Sequence, residues 1–203
     1  LGGAKVSGKL EVIENLLGKV DTLLIGGAMA YTFFKSRGIQ VGRSLVEDSL
    51  IDTVNAIARN ADAQGVRLEL PTDHVVTDRL ETGATKHTID VRDPSIGQRL
   101  GVDIGPATTS RYASALTRAR TIVWNGPMGV FEIDAFAAGT IAIAKTIAAS
   151  EATSIVGGGD SVAAIGRAGV TDGITHISTG GGASLEFLGG RRLPGLDVLP
   201  DWT

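Results

Sequence analysis

The sequence predicts a three-layer, Rossmann-like α/β domain, in which helices cover both faces of a mainly parallel sheet of about six strands. Short apolar segments of strand-like composition alternate with segments whose apolar residues recur at helical spacing. Glycine clusters stand directly after most of the strand-like segments. The 203 residues, 43% hydrophobic and 20% charged, are enough for one domain with a substantial core, which we place over residues 1–203.

The first part of the chain is assigned from periodicity and from turn residues. Up to residue 77 the pattern gives helix Lys9–Leu17, strand Val20–Ile25, helix Met29–Arg37, helix Val46–Gln64, strand Val66–Leu70 and strand His74–Thr77. Gly26-Gly27 and Gly65 separate neighbouring elements. The segment Asp78–Pro94 is polar and weakly patterned, so we expect an exposed connection or a hairpin there.

The second part continues the alternation. The pattern gives helix Thr108–Ala119, strand Thr121–Trp124, helix Asp134–Ser150, strand Ser154–Val156, helix Val162–Ala168, strand Ile174–Ser178 and helix Ala183–Leu188. Thr108 or Thr109 is the expected N-cap of the first of these helices. Strands that alternate with helices favour a sheet covered on both faces.

Charge and composition argue against several classes of function. The formal net charge of −3 and the pI of 5.6, without a dense Lys/Arg run, disfavour a nucleic acid or an anionic membrane as partner. The absence of cysteine excludes a disulfide framework and a thiolate metal site, and favours a reducing compartment. With neither a long apolar stretch nor a signal peptide, we expect a cytoplasmic protein.

The three histidines do not point to catalysis. They occur in no His-x-x-His or Glu-x-x-His spacing, and no G-x-S-x-G motif is present, which disfavours zinc sites and hydrolytic triads. His176 lies in an apolar strand pattern, so we interpret it as an interior histidine.

Five glycine clusters are the most informative feature. A strand, a glycine turn and a helix N-terminus leave unpaired backbone N–H groups where an anion can reach them. Several such turns at one edge of a parallel sheet would form a phosphate-binding crevice. The clusters are Gly2-Gly3-Ala4-Lys5, Gly26-Gly27-Ala28-Met29, Asn125-Gly126-Pro127-Met128-Gly129, Gly157-Gly158-Gly159-Asp160-Ser161 and Thr179-Gly180-Gly181-Gly182-Ala183-Ser184.

The first cluster approaches the P-loop pattern G-x-x-x-x-G-K-[ST]. Leu10 stands where the magnesium-ligating hydroxyl belongs, so it is not a P-loop. Lys5 and Lys9 could still reach one polyphosphate. The alternative is that both are solvated surface lysines. The later turns each follow a strand, so we also expect that a strand ahead of Leu1 is wholly or partly missing from this sequence.

The other clusters suggest further contacts, each with a structural alternative. Asp160 could present a carboxylate to a magnesium ion that bridges phosphate oxygens, or it could be an ordinary N-cap. The turn at residues 179–184 could stabilise charge on a transferring phosphoryl group, or it could only connect a strand to a helix. Glu132 could accept hydrogen bonds from ribose hydroxyls. Trp124 and Phe131 are expected core residues.

Together these clusters resemble the C-terminal, nucleotide-binding domain of phosphoglycerate kinase, from Leu1 to about Leu199. The motifs that carry the resemblance are LGGAKVSGK at 1–9, GGAMAYTF at 26–33, DIGPAT at 103–108, WNGPMGVFE at 124–132, GGGDS at 157–161 and STGGGASLEFL at 178–188. All six occur in the family order. The resemblance implies reversible phosphate transfer between 1,3-bisphosphoglycerate and magnesium ADP, which gives 3-phosphoglycerate and ATP.

The resemblance also implies roles for individual positions. Lys5 and Lys9 would contact the nucleotide phosphates and the transferring group, and Asn125 would contact a phosphate. Glu132 would bind the ribose and Asp160 the Mg²⁺ ion. The implied adenine pocket comprises Gly3, Ala4, Gly27, Leu45, Gly101, Val102 and Pro127. The implied phosphate loop comprises Gly158, Gly159, Asp160 and Ser161. The implied catalytic group comprises Lys5, Gly181 and Gly182.

The sequence departs from the family in two small ways and one large one. Gly8 replaces a residue that is often polar, and Ala28 replaces a frequent third glycine. The large departure is the absence of the N-terminal domain, which in the family binds the phosphoglycerate and supplies a catalytic arginine. We therefore expect ADP or ATP binding with little catalysis by this chain alone, and a monomeric full-length protein.

Two other functions compete with this one. A stand-alone adenine-nucleotide binding module without chemistry would use the same glycine turns. A dinucleotide oxidoreductase domain is disfavoured, because G-x-G-x-x-G follows no predicted strand.

Overall fold

The computed structural model describes residues 1–195 and confirms the α/β class. Residues 196–203, the end of the predicted domain, lie outside the described residues. Within residues 1–195 the α-helices are α1 Leu10–Leu17, α2 Met29–Ser36, α3 Ile51–Ala63, α4 Pro106–Thr117, α5 Ala138–Ala148, α6 Gly159–Ala168 and α7 Gly182–Leu188. The strands are β1 Thr22–Leu24, β2 Arg67–Glu69, β3 Asp73–Thr77, β4 Lys86–Asp90, β5 Leu100–Ile104, β6 Thr121–Asn125, β7 Thr153–Gly157 and β8 His176–Ser178.

The parallel strands form two hydrogen-bonded groups. β1 pairs with β2, and β7 lies between β6 and β8. The backbone of residues 1–3 runs between the two groups, because the amino group of Leu1 donates to the carbonyl of Leu24 at 2.7 Å and the amide of Gly2 donates to the carbonyl of Asn125 at 2.9 Å. The carboxyl ends of β1 and β6 are therefore joined through the first residues of the chain.

A second sheet is antiparallel and has the strand order β4-β3-β5. The β3–β4 pair realises the hairpin alternative for the segment Asp78–Pro94. β5 was not predicted, since Gly101 and Asp103 interrupt its apolar pattern. In the described part of the chain, five parallel and three antiparallel strands thus replace the expected single sheet of about six strands.

Helices cover both faces of the parallel strands, as predicted. α1, α2 and α3 pack in one apolar core and α4, α5 and α6 in another. Leu23 belongs to the first core, whereas its neighbour Leu24 packs against the second. Successive strand residues point to opposite faces of a sheet, so these strands lie between two helical layers.

The buried hydroxyl of Tyr112 ties α4 to the parallel strands. Its single O–H lies between two carbonyl acceptors, that of Ile25 at 2.7 Å and that of Glu69 at 3.0 Å. Trp124 and Phe131 are buried, as expected for core residues. In residues 1–195 we find no helix with the length and apolar character that a bilayer span requires.

Two local predictions are wrong. Neither Thr108 nor Thr109 is an N-cap, because α4 begins at Pro106 and the carboxylate of Asp73, from β3, accepts the amide hydrogen of Thr108 at 2.7 Å. Proline suits the first helical position, where its missing N–H is not needed. His176 is exposed rather than interior, because its strand β8 pairs only with β7 in the described ladder.

Candidate functional site

Three of the glycine loops form a single wall. The amide of Gly3 donates to the carbonyl of Pro127 at 2.8 Å, and the amide of Gly27 donates to that of Met128 at 3.0 Å. The amide of Met29 closes the set by donating to the carbonyl of Gly3 at 3.1 Å. Main-chain hydrogen bonds thus hold together the segment at residues 1–3, the loop after β1 and the loop after β6.

Gly27 is required by this close approach. Its φ of +66° lies in the left-handed region, which side chains disfavour. A Cβ atom at Gly27 would also lie 2.5 Å from the backbone nitrogen and oxygen of Gly3 and 2.9 Å from the carbonyl oxygen of Pro127. Any side chain here would separate the loops that form the wall.

Asn125 connects this wall to the fourth glycine loop and to Lys9. Its Nδ2 donates to the carbonyl of Gly157 at 2.8 Å, and its Oδ1 accepts a hydrogen bond from the Nζ of Lys9. The buried Oγ of Ser161 accepts the amide hydrogen of Gly126 at 2.6 Å. The side chain of Lys9 is therefore fixed beside the amino end of α6.

Two adjoining cavities open on these loops. The inner pocket has a volume of about 220 Å³ and is lined largely by apolar groups, among them Phe34, Pro71 and Met128. The outer crevice has a volume of about 410 Å³ and lies over the glycine loops that precede α6 and α7. Together they could hold a flat apolar group beside an anionic one.

Most of the residues predicted from the sequence line one or both cavities. Gly27, Gly101, Val102 and Glu132 line the inner pocket, while Lys5, Lys9, Asn125, Gly158, Gly159, Ser161, Gly181 and Gly182 line the outer crevice. Gly3, Ala4, Pro127 and Asp160 line both and mark where the two cavities meet.

The structure does not bring Leu45 to either lining, contrary to its expected place in the adenine pocket. Leu45 lies between two anchored neighbours. The Oγ of Ser44 accepts the amide hydrogen of Gly101 at 2.9 Å, and the amide of Glu47 donates to the Oγ1 of Thr32 at 3.1 Å. These contacts leave the Leu45 side chain 47% exposed.

The outer crevice combines two cations with one carboxylate. Burial lowers the pKa of Lys9, and the nearby charge of Asp160 opposes that shift. Lys5 and Asp160 are exposed. Backbone amides at the start of α6 add a partial positive charge. The arrangement therefore suits a polyanion, with Asp160 as the one negative group among these three side chains.

Sequence reasoning missed a buried polar group in the inner pocket. The hydroxyl of Tyr31 hydrogen-bonds to the Nδ1 of His74 at 2.7 Å, while the Nε2 of His74 has no partner among the described residues. Burial lowers the pKa of His74 to about 4 and raises that of Asp103 to about 7. Tyr31 and His74 lie in apolar segments, so their sequence pattern indicated only core positions.

Glu47 was also missed, although it holds the loop that carries the two lysines. Its carboxylate accepts the amide hydrogens of Val6 at 2.6 Å and Ser7 at 3.1 Å. Burial opposes ionisation, but these hydrogen bonds, together with that from the Ser7 hydroxyl and the charge of Lys5, lower the pKa of Glu47 overall. No local signal links Glu47 to residues about forty positions earlier.

The acidic side chains of the described residues do not form a preformed metal site. Across residues 1–195 no group of three or more His, Cys, Asp or Glu side chains could enclose an ion. Mg²⁺ commonly takes one or two carboxylates together with substrate phosphates and water. The exposed carboxylate of Asp160, at the edge of an anion-binding crevice, fits that mode of binding.

A model of the family described as phosphoglycerate kinase matches residues 1–191. The chain belongs to the phosphoglycerate kinase family. The resemblance drawn from the six motifs is thereby confirmed.

Curated relatives agree with this assignment. The chain is 55% identical over 204 residues to a phosphoglycerate kinase of Chlorobium phaeobacteroides, covering 99% of the chain and 51% of the relative. It is 56% identical over 201 residues to that of Geotalea daltonii, covering 98% of the chain and 50% of the relative. The chain therefore spans about half the length of the curated relatives it matches.

Solved structures show the same fold. Phosphoglycerate kinase from Coxiella burnetii superposes with a TM-score of 0.94 at 44% identity, over 97% of this chain and 50% of that one. The enzyme from Pyrococcus horikoshii gives a TM-score of 0.81 at 41% identity, over 97% of this chain and 49% of that one.

Proposed function

We propose that this chain is the nucleotide-binding half of a phosphoglycerate kinase and that it binds ADP or ATP across the inner pocket and the outer crevice. The whole protein would transfer phosphate between 1,3-bisphosphoglycerate and magnesium ADP, giving 3-phosphoglycerate and ATP. One observation carries the proposal. Four glycine loops from distant parts of the chain join through Gly3, Gly27, Pro127 and Asn125, and they place Lys9 and Asp160 next to an apolar pocket.

The two cavities suggest how the nucleotide lies. The base would enter the inner pocket beside Gly27, Val102 and Pro127. Glu132, exposed at that pocket, would accept hydrogen bonds from the ribose hydroxyls. The phosphates would then extend into the outer crevice toward Lys9 and the first turn of α6.

The same crevice would stabilise the charge that develops during transfer. Lys5 and Lys9 would bind phosphate oxygens, and Asp160 would hold the Mg²⁺ that accompanies the nucleotide. When bound there, Mg²⁺ would neutralise part of the negative charge of the phosphates. The loop at Gly181 and Gly182 would donate main-chain hydrogen bonds to the transferring group, where hydrogen bonds that strengthen in the transition state increase the rate.

Nucleotide binding and catalysis would depend on different parts of the protein. The chain covers about half of its relatives, so the phosphoglycerate would be bound by the other half of the protein. Both substrates must be brought together in a site that excludes water. We therefore expect the isolated chain to bind nucleotide with little turnover. We also propose that the full-length protein is a cytoplasmic monomer.

Two measurements test the proposal. Calorimetry of the chain with ADP, with and without Mg²⁺, should show binding that Mg²⁺ strengthens; a folded chain that binds neither form would refute the nucleotide site. Fusion to the other half of the Chlorobium phaeobacteroides relative should restore 3-phosphoglycerate-dependent ADP formation from ATP. A folded fusion that binds ADP without turnover would refute the kinase function and favour a binding module.

A further inference from the structure

Glu132, the residue proposed to bind the ribose, lies in an irregular segment of the chain. It follows Phe131 in the connection from β6 to α5, and its side chain is exposed at the inner pocket. A carboxylate that accepts hydrogen bonds from ribose hydroxyls needs a fixed direction, because hydrogen bonds weaken steeply as they depart from linearity. The contacts that hold the backbone at Glu132 therefore determine how well it can recognise a ribose.

The neighbours of Glu132 are held on both sides. The amide of Val130 donates to the carbonyl of Val102 at 2.8 Å, and the amide of Ile133 donates to the carbonyl of Val130 at 3.1 Å. The side chain of Phe131 is buried in the second core. These contacts leave out the peptide group that joins Phe131 to Glu132.

That peptide group is held by Arg167, from the last turn of α6. The Nη1 of Arg167 donates to the carbonyl of Phe131, which has no other partner among residues 1–195. The Nη2 of the same guanidinium pairs with the carboxylate of Asp134. Because the donors of a guanidinium lie in a fixed planar arrangement, Arg167 sets the direction of the Phe131 carbonyl.

Of these two contacts, the one to the carbonyl decides the position of Glu132. The side chain of Asp134 is 94% exposed, and exposed ion pairs contribute little because water and salt screen them. Phe131 is only 6% exposed, so without Arg167 its carbonyl would be left unsatisfied or would turn toward another donor. Phe131 and Glu132 share this peptide group, so its rotation would redirect the Glu132 side chain.

α6 connects this contact to the phosphate end of the site. Asp160 lies in the first turn of α6 and Arg167 in the last, about 10 Å away along the helix axis. At the amino end, the Oγ of Ser161 accepts the amide hydrogen of Gly126 at 2.6 Å. Both ends of α6 are thus bonded to the chain that follows β6. One helix therefore sets the spacing between the outer crevice and Glu132.

On the basis of the proposed nucleotide site, we infer that Arg167 is a positioning residue for ribose recognition. Its hydrogen bond to the Phe131 carbonyl holds the carboxylate of Glu132 toward the nucleotide hydroxyls. Arg167 lines neither cavity, so it would not touch the nucleotide itself. Its substitution should weaken recognition of the ribose hydroxyls and leave the contacts of the base and the phosphates unchanged.

The test compares ADP with its dideoxy analogue, which keeps the base and the diphosphate but lacks both ribose hydroxyls. By calorimetry with Mg²⁺, the parent chain should bind ADP about tenfold or more tightly than the analogue, as expected for hydrogen bonds to a charged group. In Arg167→Met, which keeps much of the apolar stem, this preference should fall to about threefold or less, while the affinity for the analogue stays within about twofold of the parent value. Arg167→Lys should restore part of the preference, since its Nζ can still donate to the carbonyl.

The control is Arg118→Met. Arg118 is the C-cap of α4, and its Nη1 donates to the Oγ of Ser114 in the same helix, outside both cavities. This variant should keep the parent preference for ADP. In a chain that already carries Glu132→Gln, the addition of Arg167→Met should cause no further loss of preference, because both changes act on the same contact.

A general loss of structure would weaken the binding of ADP and of the analogue alike. Equal weakening of both compounds in Arg167→Met, or an unchanged preference in the folded variant, would therefore overturn the positioning role and leave the nucleotide site standing. A parent chain that binds ADP without preference over the analogue would do the same. A folded parent chain that binds neither compound would refute the nucleotide site, and the role of Arg167 with it.

Discussion

Replacement of Lys9 by methionine gives the sharpest test of the phosphate crevice. Methionine keeps much of the apolar stem of lysine but removes the charge that hydrogen-bonds to Asn125 and faces the crevice. Hydrogen bonds to charged groups contribute about 1.5–3 kcal/mol, which corresponds to a loss of affinity of about 10- to 150-fold. We therefore expect ADP to bind Lys9→Met more weakly by that factor, as measured by calorimetry at constant Mg²⁺ concentration.

The control is Lys19→Met. Lys19 follows α1, and its Nζ donates to the Oδ1 of Asn15 at an exposed position outside the crevice. This variant should bind ADP as the parent chain does. The reasoning is refuted if Lys9→Met keeps the native circular dichroism spectrum and binds ADP within about twofold of the parent, since that factor is less than 0.5 kcal/mol.

Three further predictions concern carboxylates. Asp160→Asn should reduce the Mg²⁺-dependent part of ADP affinity about tenfold and leave the Mg²⁺-free affinity nearly unchanged, by calorimetry; a loss of equal size under both conditions would contradict a metal role. Glu47→Ala should speed hydrogen exchange at Val6 and Ser7 and weaken ADP binding. Glu47→Gln keeps one acceptor oxygen, so both effects should be smaller in that variant. Unchanged exchange in Glu47→Ala would show that the Glu47 carboxylate does not hold the loop. Asp103 has a folded-state pKa of about 7, above the ordinary value of 3.8, so its contribution to stability is lost as pH rises toward 7. Between pH 5 and pH 8 the free energy of unfolding, measured by urea unfolding, should therefore fall by about 2–3 kcal/mol more in the parent chain than in Asp103→Asn. Equal changes in both proteins would exclude a raised pKa at Asp103.

The parallel part of the fold was predictable because its signals are local. β6 and β7 are short apolar runs that end in glycine loops. α6 begins at Gly159, directly after β7, whereas α5 begins at Ala138, after a longer loop that follows β6. β5 was not predictable in this way. Gly101 weakens its strand pattern, yet the structure needs a glycine there, because a Cβ atom would lie 1.5 Å from the hydroxyl oxygen of Tyr31. That requirement comes from a helix seventy residues away and leaves no trace in the neighbouring sequence.

In the candidate site, too, the residues with a local sequence signal were predictable and those placed by long-range contacts were not. Lys9 and Asp160 could be found because each stands in a glycine motif with a chemical meaning of its own. Glu47 and His74 could not, since the first reaches the site through a long-range hydrogen bond and the second lies in an apolar strand. Leu45 was placed by resemblance alone, and the anchored segment around it leaves its side chain outside the cavities.

The wall built by the Gly3, Gly27 and Pro127 loops has a consequence for how this protein tolerates mutation. The loops are connected through backbone carbonyls and amides, which every amino acid except proline has in full. Neighbouring side chains can therefore be substituted without altering the main-chain surface that a ligand meets, provided that the loops keep their spacing. Side-chain volume is therefore what this wall limits: a methyl group added at Gly27 would collide with the backbone of Gly3 and Pro127, whereas a change of polarity at a side chain outside these contacts would leave the main-chain hydrogen bonds in place.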